Sequence, residues 1–166
     1  MRKRRYSTFW SLLLILGIAG CGGGISKQVR SQVTFFGPFK ELQQNPERFR
    51  GEMVMFGGKI IETQALGNGT EIIVLHLELN ASNRPDDNDQ SQGRYLVRSD
   101  QFIDPAIYPP GTLVTVAGRL LESEARHIGQ MSYRYPVVAL EEIKKWPKQD
   151  ATYPRFHFGV GVGTTF

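Results

Sequence analysis

After residue 50 the apolar residues of this chain fall into short, period-two stretches, and glycine interrupts the longest of them near its middle. Glu52–Thr63 carries Gly57-Gly58, and Thr112–Glu122 carries Gly118. Glycine inside a strand marks a bulge or a sharp bend, the device by which a strand curls around a small barrel. Three further stretches read as strands: Thr70–Leu79, Gly93–Ser99 and Gln130–Leu140, the last with Pro136 marking an edge or bulge. In the second, Ile73, Leu75, Leu77 and Leu79 share one face, and Ile72, Val74, His76 and Glu78 the other. Asn68-Gly69 is a hairpin dipeptide joining the first two strands. A short helix is expected over Pro38–Gln44, closed by Asn45-Pro46, after an extended arm over Val29–Phe36. Asn80–Gln92 is a polar loop, Asp100–Tyr108 a helical or irregular link, and Pro109-Pro110-Gly111 a turn. No β-α-β alternation supports a parallel sheet. The expected fold is mainly β: a small five-stranded, OB-like antiparallel barrel with one or two short helices, preceded by a signal-peptide helix. An open β-sandwich is the alternative.

The front of the chain has a different character. Arg2, Lys3, Arg4 and Arg5 precede an apolar run from about Phe9 to Leu16, followed by the small-residue stretch Gly17–Gly20. This is the three-part pattern of a secretory signal peptide, and its apolar run is too short to span a bilayer. The leader also accounts for the net charge of +4, because residues 21–166 hold 16 basic and 16 acidic side chains. A phosphate-binding protein needs a basic surplus or a basic face, so nucleic acid is not an expected partner.

Cys21, the one cysteine of the chain, stands at the end of the leader, so no intramolecular disulfide can form. Ile18-Ala19-Gly20-Cys21 resembles a bacterial lipobox, with Ile18 in the place usually held by leucine. The resemblance implies cleavage before Cys21 and its acylation with chains such as palmitate. Two or more acyl chains anchor a protein stably where one holds it marginally. The sorting rule of enteric lipoproteins, in which aspartate after the cysteine retains the protein in the inner membrane, makes Gly22 an outer-membrane signal. The organisation expected is a signal peptide over 1–20, a lipidated tether over 21–28, the barrel over 29–146 and a Gly- and aromatic-rich tail over 147–166.

Within the barrel region a set of ordered motifs resembles the Slp family of bacterial outer-membrane lipoproteins. They are Asn45-Pro46 with Phe49 and Gly51; Val54 with Phe56-Gly57-Gly58-Lys59-Ile60-Ile61; Gly93-Arg94-Tyr95; Phe102-Ile103-Asp104-Pro105 with Tyr108 and Gly111; Thr115-Val116-Ala117-Gly118; and Ile128-Gly129 with Tyr133–Val138 and Trp146. Phe56 stands where the family often has tryptophan. The resemblance implies a lipid-anchored protein of the Gram-negative outer membrane, associated with starvation or stationary phase, and no enzymatic reaction, so no catalytic residues carry over.

Read for chemistry alone, the sequence points the same way. His76, His127 and His157 are far apart and lack zinc-ligand spacing. The run Asp86-Asp87-Asn88-Asp89 lacks the EF-hand pattern. No G-x-S-x-G elbow is present. Glu52, Glu62, Glu71 and Glu78 leave paired-carboxylate chemistry a matter of three-dimensional separation. No catalytic residue, metal or cofactor is therefore expected. One set of residues suits ligand binding on the face formed by the second and third strands: Arg94, Tyr95, Arg98, Tyr133, Arg134 and Tyr135, for an anionic or glycan ligand or an envelope protein. Cross-strand packing of the same side chains is the competing reading.

Overall fold

The first strand does the work of two. In the computed structural model, which describes residues 24–88 and 90–148, β1 (Met53–Leu66) pairs along its first half with β4 (Leu113–Leu120) and along its second half with β2 (Gly69–Leu77). A strand can serve two neighbours this way only if it curls, and Gly57 and Gly58 lie where the two partnerships overlap. A Cβ on Gly58 would stand 2.4 Å from the Leu75 carbonyl oxygen, so no side chain fits. The pairing shifts register between Ile60 and Glu62, a bulge that adds to the bend. β4 repeats the device: its register against β7 (Val137–Lys145) shifts between Ala117 and Gly118, where a Cβ would lie 2.1 Å from the Ala139 carbonyl oxygen.

With β3 (Arg94–Ser99) the ring closes in the order β1-β2-β3-β7-β4 and back to β1. Four of its five pairings are antiparallel, and β3 meets β7 in parallel. This is the five-stranded closed barrel expected of the OB type. Its interior holds Val54, Phe56, Ile60, Ile72, Val74, Tyr95, Val97, Val114, Val116, Leu120 and Val138, all buried. The inward face of β2 is therefore the one bearing Ile72, Val74 and His76.

Both mouths are stopped. α2 (Phe39–Gln44) follows Pro38, as the sequence indicates, and buries Phe39 and Leu42 against Phe56, His76 and Tyr95 at one mouth. A 3-10 turn, Pro46–Phe49, then leads the chain into β1. At the other mouth the irregular link after β3 lays Ile103 and Tyr108 against the core. It is pinned there by Thr63 Oγ1 donating to the Tyr108 carbonyl (2.7 Å) and by Ile103 N–H donating to Thr70 Oγ1 (2.8 Å).

Three expectations are corrected. The stretch Gln130–Leu140 is two strands, β6 (Met131–Tyr135) and β7, because Pro136 lacks the N–H needed to continue a ladder and the chain leaves one sheet for another there. β6 pairs with β5 (Glu124–Ile128), which the sequence did not signal, in a hairpin turned at Gly129 (φ 60°). The arm expected over Val29–Phe36 opens as a helical turn, α1 (Lys27–Arg30), and the folded body begins earlier than residue 29, since Ile25 is buried against Met53 and Ala117. The expected leader, Cys21 and residues 149–166 of the tail lie outside the described residues.

Candidate functional site

The β5–β6 hairpin lies over the outer surface of β3, on the face singled out from the sequence for ligands. The outward-facing Leu96 of β3 is fully buried, packed with Tyr135 and Val137 and flanked by Ile73, Ile128 and Tyr133. β3 is thus covered on both sides, by the barrel interior through Tyr95 and Val97 and by the hairpin through Leu96.

The six side chains singled out there do not converge on one surface. Tyr95 is a core residue, fully buried among Phe39, Phe56 and His76, with its hydroxyl 3.4 Å from the Gly57 carbonyl; burial pushes its phenol far up. Tyr135 is buried against Leu96, its ring centre 4.7 Å from that of Tyr133. Tyr133 Oη accepts the Arg94 backbone N–H at 2.7 Å and a hydrogen bond from the Gln43 side chain, tying the hairpin to β3 and to α2. Burial raises its phenol, opposed by the bond from Arg94. Arg134 alternates with the two tyrosines and faces solvent. Removing the Tyr133 hydroxyl leaves the part-buried Arg94 N–H without its acceptor. Tyr133→Phe is therefore expected to cost about 1–2 kcal/mol, read as a lowered urea midpoint with an unchanged slope.

Arg98 enters a different group. Its Nε donates to Glu71 Oε2 at 3.1 Å, and its Nη2 donates to Glu124. Arg126, two residues along β5, holds Glu71 through two bonds (2.6 and 2.8 Å) and Glu124 through its Nε (2.7 Å). Two arginines and two carboxylates thus form a closed, neutral quartet linking β2, β3 and the hairpin, with the Glu71 side chain 7% exposed. The Arg126 hydrogen bonds hold the Glu71 carboxyl below its usual range against the opposing effect of burial, and Arg98 adds to the lowering. Glu124 is lowered in the same way, by Arg126 first. The Arg126 guanidinium is raised chiefly by its bonds to Glu71. For Arg98, burial works against the charge, and the bonds from Glu124 and Glu71 outweigh it. Carboxylates saturated in this way neither donate nor take a proton near neutrality, and the arginines are already neutralised. The arrangement can clasp a hairpin; it is not built to bind an anion or to run acid–base chemistry.

In the sequence Glu71 is one of four scattered carboxylates, and neither Glu124 nor Arg126 stands out. Their one local signal is the spacing Glu124-x-Arg126, which sets both on one face of a strand. The other three carboxylates stand apart: Glu52 accepts the Thr34 hydroxyl, Glu78 accepts the Gln92 amide, and Glu62 is exposed.

The histidines also separate. His127 is exposed, and His157 lies outside the described residues. His76 is 4% exposed, stacked on Phe39 with ring centres 4.2 Å apart and edge-on to Phe56, and its Nδ1 has no hydrogen-bond partner among the described residues. Burial pushes its imidazole down to about 4, so it is neutral at pH 7. In the acidic loop Asp87 pairs with Lys59, Asp86 N–H donates to the Glu78 carbonyl, and Asp89 is outside the described residues.

Comparison with known proteins adds an identity to this geometry. A family model described as the outer membrane lipoprotein Slp family matches residues 18–161. An uncharacterised protein of Haemophilus influenzae is 31% identical over 143 residues, covering 84% of this chain and 75% of that one. The outer membrane protein Slp of Escherichia coli is 27% identical over 127 residues, covering 75% of this chain and 67% of that one. Among solved structures, a small single-stranded DNA-binding protein from Streptomyces coelicolor aligns over 57% of this chain and 94% of its own, at 15% identity and a TM-score of 0.36. That score is too low to say anything of a ligand.

Proposed function

Because the chain belongs to the outer membrane lipoprotein Slp family, we propose that it is a non-enzymatic, lipid-anchored module of the outer membrane, active in the envelope under starvation or in stationary phase. In this reading Cys21 carries the acyl chains, palmitate among them, and the barrel is a scaffold that meets an envelope protein or a glycan through its outer surface. The observation that carries the proposal is the hairpin. Barrels of this type bind ligands across the second and third strands, and here that face is occupied by the chain's own β5–β6, packed on Leu96 and clasped by Glu71, Arg98, Glu124 and Arg126. The paired carboxylates, the usual currency of hydrolytic chemistry, are spent in that clasp.

The test is the intact mass of the protein extracted from membranes, wild type beside Cys21→Ala, from growing and from starved cells. A wild-type mass starting at Cys21 with about three acyl chains added, absent in the variant, is expected, together with a higher yield from starved cells. An unmodified mass and a soluble product would overturn the anchor. A yield indifferent to starvation would overturn the stress association.

A further inference from the structure

The fold begins almost at the cysteine. Ile25 is already buried, against Met53 and Ala117, so only Gly22, Gly23 and Gly24 separate it from Cys21. Consecutive Cα atoms are about 3.8 Å apart, so Cys21 and Gly24 are at most about 11 Å apart. A lipid on Cys21 therefore holds the adjoining surface of the domain at the headgroups instead of on a long leash. This rests on the reading of Cys21 given above.

That surface has the character of a membrane-facing one. Phe36, between α1 and α2, is 85% exposed, and it borders an open cleft of about 220 Å³ lined by Val33, Phe35, Phe39, Met55 and Leu79. Met55 also packs on the Ile25 cluster, so the cleft is continuous with the point where the anchor enters. Arg30 and Glu78 are the charged groups bordering the cleft, and Lys27 is exposed on the same helical turn as Arg30. Residues 24–50 hold five basic side chains (Lys27, Arg30, Lys40, Arg48, Arg50) and two acidic ones (Glu41, Glu47), and two carboxylates reach the segment from elsewhere, Glu142 at the Ser26 N–H and Glu52 at the Thr34 hydroxyl. An exposed aromatic with a basic rim is the composition that seats a protein at an anionic lipid interface.

We infer that this face, with Phe36 as its apolar wedge and Lys27 and Arg30 as its cationic rim, docks on an anionic phospholipid surface and fixes the orientation of the barrel relative to the membrane. The lipid chain supplies attachment; the face supplies posture, turning the opposite side of the domain away from the bilayer.

The experiment uses the full lipidated protein in vesicles of phosphatidylethanolamine and phosphatidylglycerol with brominated acyl chains. Phe36→Trp puts an indole into the proposed wedge, and Trp146, held against Thr115 and Arg84 elsewhere on the surface, is the built-in comparison. The expected result is a blue-shifted emission from the introduced indole that bromine quenches, with Trp146 unquenched in the wild type. Adding Lys27→Gln and Arg30→Gln is expected to lower the docked-to-undocked ratio about five-fold for each cation removed, while the protein still floats with the vesicles. Unquenched emission from a protein that floats would overturn the docked face and leave the anchor intact. Quenching of Trp146 alone would put the opposite side on the membrane, and shielding from aqueous iodide without bromine quenching would put a second copy of the chain on the cleft; either overturns the inference. A protein that does not float would overturn the anchor and the tether argument together.

Discussion

Acidification from pH 7 to pH 4 is expected to remove about 3 kcal/mol from the unfolding free energy, and His76→Leu is expected to abolish most of that loss. His76 is neutral in the folded protein down to about pH 4, whereas an unfolded chain's imidazole takes up a proton near 6.5. Between those values the unfolded state binds the proton and the folded state refuses it, so stability falls as the pH falls. At about 1.4 kcal/mol per pKa unit the interval corresponds to the loss given. Below pH 4 the folded state is protonated too and this contribution levels off. The surroundings are almost wholly apolar or aromatic: Phe39, Phe56 and Tyr95 face the ring, and the charged groups bordering the adjacent cleft are Arg30 and Glu78. At pH 7 the leucine variant should differ from wild type by no more than about 1 kcal/mol, since it loses a ring stack and also removes an unpartnered nitrogen. Urea unfolding of the detergent-solubilised protein across this pH range is the measurement. Equal slopes for the two proteins between pH 6.5 and pH 4.5 would rule His76 out as the cause.

Glu71→Ala should act at the opposite end of the same strand and in a different way. The carboxylate is buried and accepts from two arginines, so its loss leaves Arg98 and Arg126 to share Glu124. Breaking a fully buried pair costs about 3–5 kcal/mol, but the Arg98 and Arg126 side chains are 42% and 30% exposed and water screens what remains. About 2–3 kcal/mol is the expected cost, concentrated in the hairpin. Amide exchange in β5 and β6 should accelerate about thirty-fold or more, with the barrel strands following only through global unfolding. The wild-type clasp should also fail below pH 4.5, because Glu71 and Glu124 have lowered pKa values and their stabilisation is lost as the pH falls through them. Uniform acceleration over the whole domain would mean the quartet supports the barrel itself and does not merely fasten the hairpin.

The sequence and the structure agree where local chemistry dictates the backbone. The glycines at 57, 58 and 118 announce bends because no side chain fits there, and Pro38 and Pro46 bracket α2 because proline sets or blocks the helical conformation on either side. The five-stranded closed barrel follows from strand count and bends, but its order does not, since β7 enters in parallel beside β3. What stayed hidden was decided by tertiary partners. Glu124-Ala125-Arg126-His127-Ile128 carries no strand signal of its own, and becomes a strand where Glu71 and Arg98, far away in the chain, neutralise its charges. Beside two arginines Tyr95 reads as a surface aromatic, yet period two turns it inward while Arg98 turns out. The choice between the two faces of β2 hinged on His76, which sequence alone reads as polar and the fold uses as one more ring in an aromatic stack.

The placement of β7 has a consequence for how the chain is made. β7, the last strand among the described residues, sits between β3 and β4, so the ring cannot close until residues 137–145 have left the ribosome. A shorter nascent chain has two unpaired strand edges and an uncovered interior, and contacts this distant in sequence form slowly. A polypeptide whose closure awaits β7 remains pliable until that strand has emerged, the condition in which a chain can still be threaded across a membrane and left to fold on the far side.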